Sequence, residues 1–274
     1  MSRIAECFAA LEQSGRRALI PYVVAGDPGQ EVTVPVMHKL VAAGANIIEL
    51  GVPFSDPMAE GPVIQLAHER ALANNVSLST VLSMVREFRD QDQATPVLLM
   101  GYANPVARMG YSKFADAAQA VGLDALLTVD MPPEEVAALN IELQRAGLDN
   151  IFLVAPTTPL PRIEKITERA SGFVYYISLK GVTGAGHLDM IEVANKVGEI
   201  RARCSLPVVV GFGIKDADSA AAVARIADGV VVGSALVQLM ALAAERGENA
   251  DGIAGAAAAL LADMRAGMDA GQTG

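Results

Sequence analysis

Eight short apolar runs rich in Val, Ile and Leu, separated by amphipathic stretches of helical period, predict an α/β fold, a single (β/α)8 TIM barrel. Each run is apolar throughout and does not alternate, which suits parallel strands covered on both faces. No linker, low-complexity tract or repeat beyond the βα unit divides the 274 residues, so one domain over 1–274 is expected. An open doubly wound sheet is the alternative. The turn after the first run, Gly26-Asp27-Pro28-Gly29, lacks the G-x-G-x-x-G of a dinucleotide-binding turn.

The expected strands are Leu19–Ala25, Asn46–Gly51, Pro96–Tyr102, Ala125–Val129, Asn150–Ala155, Phe173–Ser178, Pro207–Gly211 and Gly229–Val232. Helices are expected over Val32–Ala43, Leu78–Asp90, Tyr111–Ala120, Pro133–Ala146, Pro161–Ala170, Asp189–Ala202 and Ala217–Ala227. Four additions to the basic eight units are legible. Residues 2–14 read as a short helix covering one barrel end, and Gly61–Asn74 as an extra helix with Pro62 in its first turn. Ser234–Arg246 follows the eighth strand, and 253–267 form an Ala-rich terminal helix, with 268–274 expected to fray.

Apolar residues make up 52% and charged residues 19%, enough for a large core; with no Trp, its volume comes from aliphatic side chains and Met. A net charge of −10 argues against a nucleic-acid surface or an anionic membrane patch. Cys7 and Cys204 have no metal-like spacing and form no disulfide framework. The first eight residues contain Glu6 and no apolar signal segment, and no apolar run reaches bilayer length. A cytoplasmic setting with neither nucleic acid nor membrane as partner is expected.

The richest stretch is Glu49-Leu50-Gly51-Val52-Pro53-Phe54-Ser55-Asp56-Pro57-Met58-Ala59-Glu60-Gly61-Pro62. Glu49 lies inside an apolar strand, where a carboxylate is costly unless something pairs with it or uses it. Glu60 follows eleven positions later on a proline-stiffened loop able to fold over the strand end. Two carboxylates in unlike settings suit a site that needs one neutral acid and one anion. A structural ion pair at Glu49 and a solvated loop glutamate at Glu60 are the alternatives.

Strand six leads into Gly181-Val182-Thr183-Gly184, strand seven ends in Gly211-Phe212-Gly213, and strand eight ends in Gly233-Ser234, which opens a helix. In a barrel these loops are the usual phosphate site: glycines let backbone N–H groups approach the anion, and a helix N-terminus adds positive potential. Ordinary βα turns are the alternative. Ser178–His187, with three glycines, reads as a lid or as plain surface disorder. Strand parity puts Tyr22, Met100, Tyr102, Leu127, Val129, Leu153, Tyr175 and Phe212 with Glu49 on the pocket wall, suited to a flat apolar ligand with a phosphate tail. Tyr175 stands out because its hydroxyl needs a partner beside Glu49. His38 and His68 fall on helices and His187 on the glycine loop, so triad chemistry is not expected.

Residues 49–62 resemble the signature of the tryptophan synthase α-subunit family. Supporting matches are Pro21-Tyr22 through Gly29, Tyr102-Ala103-Asn104-Pro105, Asp130-Met131-Pro132, Tyr175, Gly181–Gly184, Gly211-Phe212-Gly213 and Gly233-Ser234, spread from the first strand to the last. The resemblance implies a lyase of tryptophan biosynthesis that cleaves indole-3-glycerol phosphate to indole and glyceraldehyde 3-phosphate, with no cofactor of its own. It implies Glu49 as the acid/base at indole C3, Glu60 as acceptor of the indole N–H, and a catalytic place for Tyr175. It further implies substrate contacts from Tyr22, Met100, Tyr102, Leu127, Thr183, Gly184, Phe212, Gly213, Gly233 and Ser234. The implied partner is a pyridoxal-phosphate-dependent β subunit in an αββα heterotetramer, met by the Pro53–Glu60 loop and the Asn104 and Asp130–Pro132 regions. One departure stands out: the second carboxylate is usually Asp, and here it is Glu60. An extra methylene moves the group by about 1 Å, a displacement that can cost on the order of 10²-fold in rate. Two alternatives remain: another phosphate-binding barrel enzyme of amino-acid biosynthesis, and a catalytically weak α subunit that acts chiefly on its partner.

Overall fold

The computed structural model describes residues 2–177, 190–211 and 213–271. Eight parallel strands close into a barrel in sequence order, with the eighth paired to the first. A leading helix α1 (Arg3–Gln13) precedes β1 (Ala18–Val24), which is followed by α2 (Gln30–Ala42) and β2 (Ile48–Gly51). Two helices, α3 (Pro62–Ala73) and α4 (Leu78–Arg89), lead to β3 (Val97–Gly101), and two more, α5 (Ala103–Met109) and α6 (Tyr111–Ala120), to β4 (Ala125–Thr128). Single helices then alternate with strands: α7 (Ala137–Arg145), β5 (Asp149–Val154), α8 (Leu160–Thr167), β6 (Val174–Ile177), α9 (Met190–Arg201), β7 (Val208–Gly211), α10 (Ala217–Ala224) and β8 (Gly229–Val232). The chain closes with α11 (Ser234–Glu245) and α12 (Ala250–Ala270).

All eight expected strands are present, within two residues at each end. The helices differ in three places for local reasons. Helix α5 was not expected; its Pro105 sits in the first turn, where its missing N–H is not needed. Helix α7 starts at Ala137 and not at Pro133, after a turn in which Glu135 N–H donates to Pro132 O (3.0 Å). Residues 268–270, expected to fray, are the last turn of α12, with Met268 fully buried. Residues 272–274 and the expected lid Ser178–His187 lie outside the described residues.

Alternate strand residues feed two separate cores. Leu19, Val23, Ile48, Leu50, Val97, Leu99, Val174 and Tyr176 pack outward under the helices. Ile20, Tyr22, Ile47, Leu98, Leu127, Tyr175 and Val209 fill the barrel. Ile4, Phe8 and Leu11 of α1 belong to the inner core, and Phe8 stacks obliquely on Phe173 (5.8 Å) at the start of β6. The N-terminal end of the barrel is therefore plugged. Beneath it, buried Asp124 accepts from Arg89 Nη2 (2.7 Å), Arg3 Nη1 (2.8 Å) and Val97 N–H (2.8 Å), which pins α1 and α4 to the strands. Only the C-terminal end is left for chemistry. Among the described residues no helix is long and apolar enough to cross a membrane, and no three His, Cys, Asp or Glu side chains gather as metal ligands.

Candidate active site

Inward parity places Glu49 near the end of β2, in register with Tyr22 of β1 and Leu98 of β3. Its side chain is buried, and both carboxylate oxygens lack a hydrogen-bond partner among the described residues. No described cation pairs with it, so the ion-pair alternative finds no support there. Burial pushes the carboxyl from its ordinary 4.5 up to about 8. At neutral pH the group is held as an enclosed, neutral acid.

Two tyrosines flank it. The Tyr22 ring covers Gly51 and the Tyr175 ring covers Gly211; a Cβ on either glycine would meet the phenol. Burial above all holds both phenols in the neutral form, with Glu60 adding to the effect at Tyr22. Gly211, grouped from sequence with the phosphate glycines, thus serves at least to seat Tyr175. Met100 and Leu127 share the inner face, Leu127 buried and Met100 half-buried beside Val129 and Leu153.

Glu60 reaches the site through the loop after β2. Phe54 stacks on Tyr102 with ring centroids 4.6 Å apart, and Ala59 N–H donates to the Tyr102 hydroxyl oxygen (3.1 Å). The Tyr102 hydroxyl in turn donates to Glu60 Oε2 in a short bond. Tyr102, expected as plain wall, is therefore the clamp on the second carboxylate. Burial raises the Glu60 pKa on balance, while the Tyr102 bond and backbone N–H groups pull it down and the charge of Asp130 pushes it up. Glu60 is thus a hydrogen-bonded acceptor, whereas Glu49 has no donor at all among the described residues. The unlike settings that the sequence suggested are present.

Sequence reasoning missed the parts that hold this loop. His68 of α3 is buried and accepts from Phe54 N–H through Nδ1 (3.0 Å); burial pushes its pKa down to about 4, so it stays neutral. Its place in the series Ile64, Ala67, His68, Ala71 on the buried face of α3 was the available signal. Arg70 of the same helix grips buried Asp27 with Nε (2.6 Å) and Nη2 (3.0 Å), and Asn74 Nδ2 donates to Gly26 O and Pro28 O (each 3.1 Å). Helix α3 is thereby fastened to the β1–α2 loop, and the Glu60 loop is fastened to α3.

At the opposite rim, Gly213 has φ +73°, a left-handed conformation that favours glycine. Gly233 precedes α11 with no side-chain cap, so the first N–H groups of α11, from Ser234 onward, face the rim. Ser234 itself is exposed. The other expected contacts, Thr183, Gly184 and Phe212, lie outside the described residues, as does His187. A cavity of about 310 Å³ opens beside the site, sharing Val129 and Leu153 with the inner face and running to Asp130–Pro133. It does not include Glu49, whose oxygens are enclosed.

The family described as tryptophan synthase alpha chain matches residues 8–264. The tryptophan synthase alpha chain of Thioalkalivibrio sulfidiphilus is 60% identical over 269 residues, 98% of this chain and 100% of its own length. That of Nitrosococcus oceani is 57% identical over 270 residues, 98% of each. The crystal structure of tryptophan synthase subunit alpha from Legionella pneumophila superposes with a TM-score of 0.92 at 44% identity, covering 98% of this chain and 99% of that one. Agreement in sequence and in fold along nearly the whole length places this chain in the tryptophan synthase alpha chain family, whose lyase reaction cleaves indole-3-glycerol phosphate.

Proposed function

We propose that Glu49 is the acid/base of this cleavage and Glu60 the acceptor of the indole N–H. The reaction moves one proton, from the hydroxyl on C3′ to indole C3, as the C3–C3′ bond breaks. A neutral Glu49 gives its proton to C3, and the carboxylate left behind takes the proton of the C3′ hydroxyl as that oxygen becomes the aldehyde carbonyl. Protonation at C3 makes the indole ring cationic, and an anionic Glu60 across from its N–H offsets that charge. Tyr175 bounds the pocket beside Glu49, and Met100 and Leu127 form its apolar floor. Gly213, Gly233 and Ser234 receive the phosphate, with Thr183, Gly184 and Phe212 completing the contacts; holding the phosphate supplies binding energy away from the reacting bond. No cofactor belongs to this chain in this reading.

The partner proposed is a tryptophan synthase β subunit in an αββα assembly, carrying its own pyridoxal phosphate, in the cytoplasm. A structural relative is described as tryptophan synthase from M. tuberculosis in an aminoacrylate-bound form; it superposes with a TM-score of 0.85 at 34% identity, covering 98% of this chain and 100% of that one.

The observation that carries the assignment is the enclosed, partnerless carboxyl of Glu49 at the reactive end of the barrel. Glu49→Gln is the test, because an amide cannot supply the proton that C3 requires. Indole release, measured with and without a β subunit, should be lost in a variant that folds like the parent. Near-normal release would overturn the assignment, and a parent silent under both conditions would favour a chain that acts only on its partner.

A further inference from the structure

Tyr22 is a buried residue whose hydroxyl the roles above leave unused. The residue is in register with Glu49 and points into the barrel. Its ring spans the mouth: Cδ1 lies 3.5 Å from where a Cβ on Gly233 would stand, and Cζ 2.8 Å from where one on Gly51 would stand. The hydroxyl therefore sits over Gly51, one inward-facing step beyond Glu49 along β2 and on the side of the Glu60 loop. Both carboxylates act on it, Glu60 more than Glu49, with Tyr102 and Asp27 contributing less. Among the described residues it makes no hydrogen bond, whereas the Tyr102 hydroxyl is taken up by Ala59 and Glu60. Its oxygen is not among the enclosed unpartnered atoms, so it keeps access to the mouth, where a ligand can take it up.

The ring of Tyr22 starts at the turn assigned to the phosphate and its oxygen ends over Gly51, within the influence of both carboxylates assigned to the indole. In the substrate, the segment between phosphate and indole is the glyceryl chain. We propose that Tyr22 donates a hydrogen bond to the oxygen on C3′ of indole-3-glycerol phosphate, the carbon that leaves the ring. This role rests on the assignment of Glu49 and Glu60 above. During cleavage the C3′ oxygen gives its proton to the Glu49 carboxylate and becomes the aldehyde oxygen. The Tyr22 proton stays on the phenol, which steadies the negative charge that gathers on that oxygen, and no other group enters or leaves. Burial, with Glu60 adding to it, keeps the phenol neutral and so preserves it as a donor.

Tyr22→Phe removes the donor and keeps the ring between Gly51 and Gly233. Two quantities separate a hydrogen bond from mere packing: kcat/KM for indole-3-glycerol phosphate, and the affinity for 3-(indol-3-yl)propyl phosphate, which has both ends of the substrate and no glyceryl hydroxyl. The expected result is a loss of about ten- to a hundredfold in kcat/KM, carried mainly by kcat, with the affinity for the deoxy compound held within about twofold. Unchanged kcat/KM, or an equal loss of affinity for the deoxy compound, overturns the role. Glu49→Gln in the same assays tells the two failures apart. If it is inactive while Tyr22→Phe is unimpaired, only the Tyr22 role falls; if it still cleaves, the site assignment falls and the Tyr22 role with it.

Discussion

The Tyr102 hydroxyl donates to Glu60 Oε2 while its ring stacks on Phe54, so one side chain of β3's exit holds both ends of the loop after β2. The contact fixes the loop glutamate against the site. It also favours the ionised form of Glu60, against burial, which is the larger effect, and the charge of Asp130.

Tyr102→Phe keeps the stack on Phe54 and removes the donor. The pKa of Glu60 should then rise, and the acid limb of the kcat–pH profile should move to higher pH. Activity at about pH 6 should fall further than activity at about pH 8, by roughly tenfold relative to the parent for every pH unit that the limb moves. An unmoved acid limb with a uniform drop in rate would mean that Tyr102 serves only to pack the loop.

Glu49 makes a separate prediction for stability. Burial raises its carboxyl from 4.5 to about 8, so the folded protein binds this proton more tightly than the unfolded chain. The stability it contributes is complete below about pH 4.5, declines as pH rises through about 8, and is level beyond. Glu49→Gln has no proton to lose. Its melting temperature relative to the parent should climb between about pH 5 and 8 and then hold, a gain of a few kcal/mol that accompanies the loss of cleavage. Parallel melting curves across that range would show that Glu49 titrates like an ordinary carboxyl. Other groups titrate in both proteins and cancel in the difference.

The barrel was legible because strands buried on both faces read as continuous apolar runs, and Glu49 was legible because it interrupts one. What the sequence hid is pairing between elements. Phe54 N–H meets His68 across 14 positions and Arg70 meets Asp27 across 43, and neither residue type announces its partner. The glycines answer a second demand that the sequence did not show. Gly211 reads as a loop glycine near a phosphate, yet a Cβ there would stand 2.7 Å from Tyr175 Cε2, and Gly51 is occupied in the same manner by Tyr22. A tyrosine lying over its neighbouring strand demands a glycine that no local pattern records. Helix α5 is only seven residues long and carries Pro105 in its first turn, so it leaves little helical period to read.

Glu60 is where this chain tests its own chemistry. The carboxylate is tied to Tyr102 through Oε2, and in the proposed reaction it also receives the indole N–H, a bond that strengthens only as the ring becomes cationic. Glu60→Gln keeps the length and removes the charge, so it should bind 3-(indol-3-yl)propyl phosphate within about twofold of the parent and lose about a hundredfold in kcat. Glu60→Asp keeps the charge and shortens the reach by about 1 Å, enough to strain either the Tyr102 bond or the indole bond. The loop backbone can absorb part of that, because Glu60 lies outside the strands, so Glu60→Asp should retain far more activity than Glu60→Gln. Pairing each variant with Tyr102→Phe separates the two uses of the carboxylate. If Tyr102 only positions Glu60, removing it should cost much less in the Glu60→Gln background than in the parent, since there is no anion left to hold. Equal kcat in the parent and Glu60→Gln would reduce the residue to a loop contact and leave the charge on the ring to be met from elsewhere in the pocket.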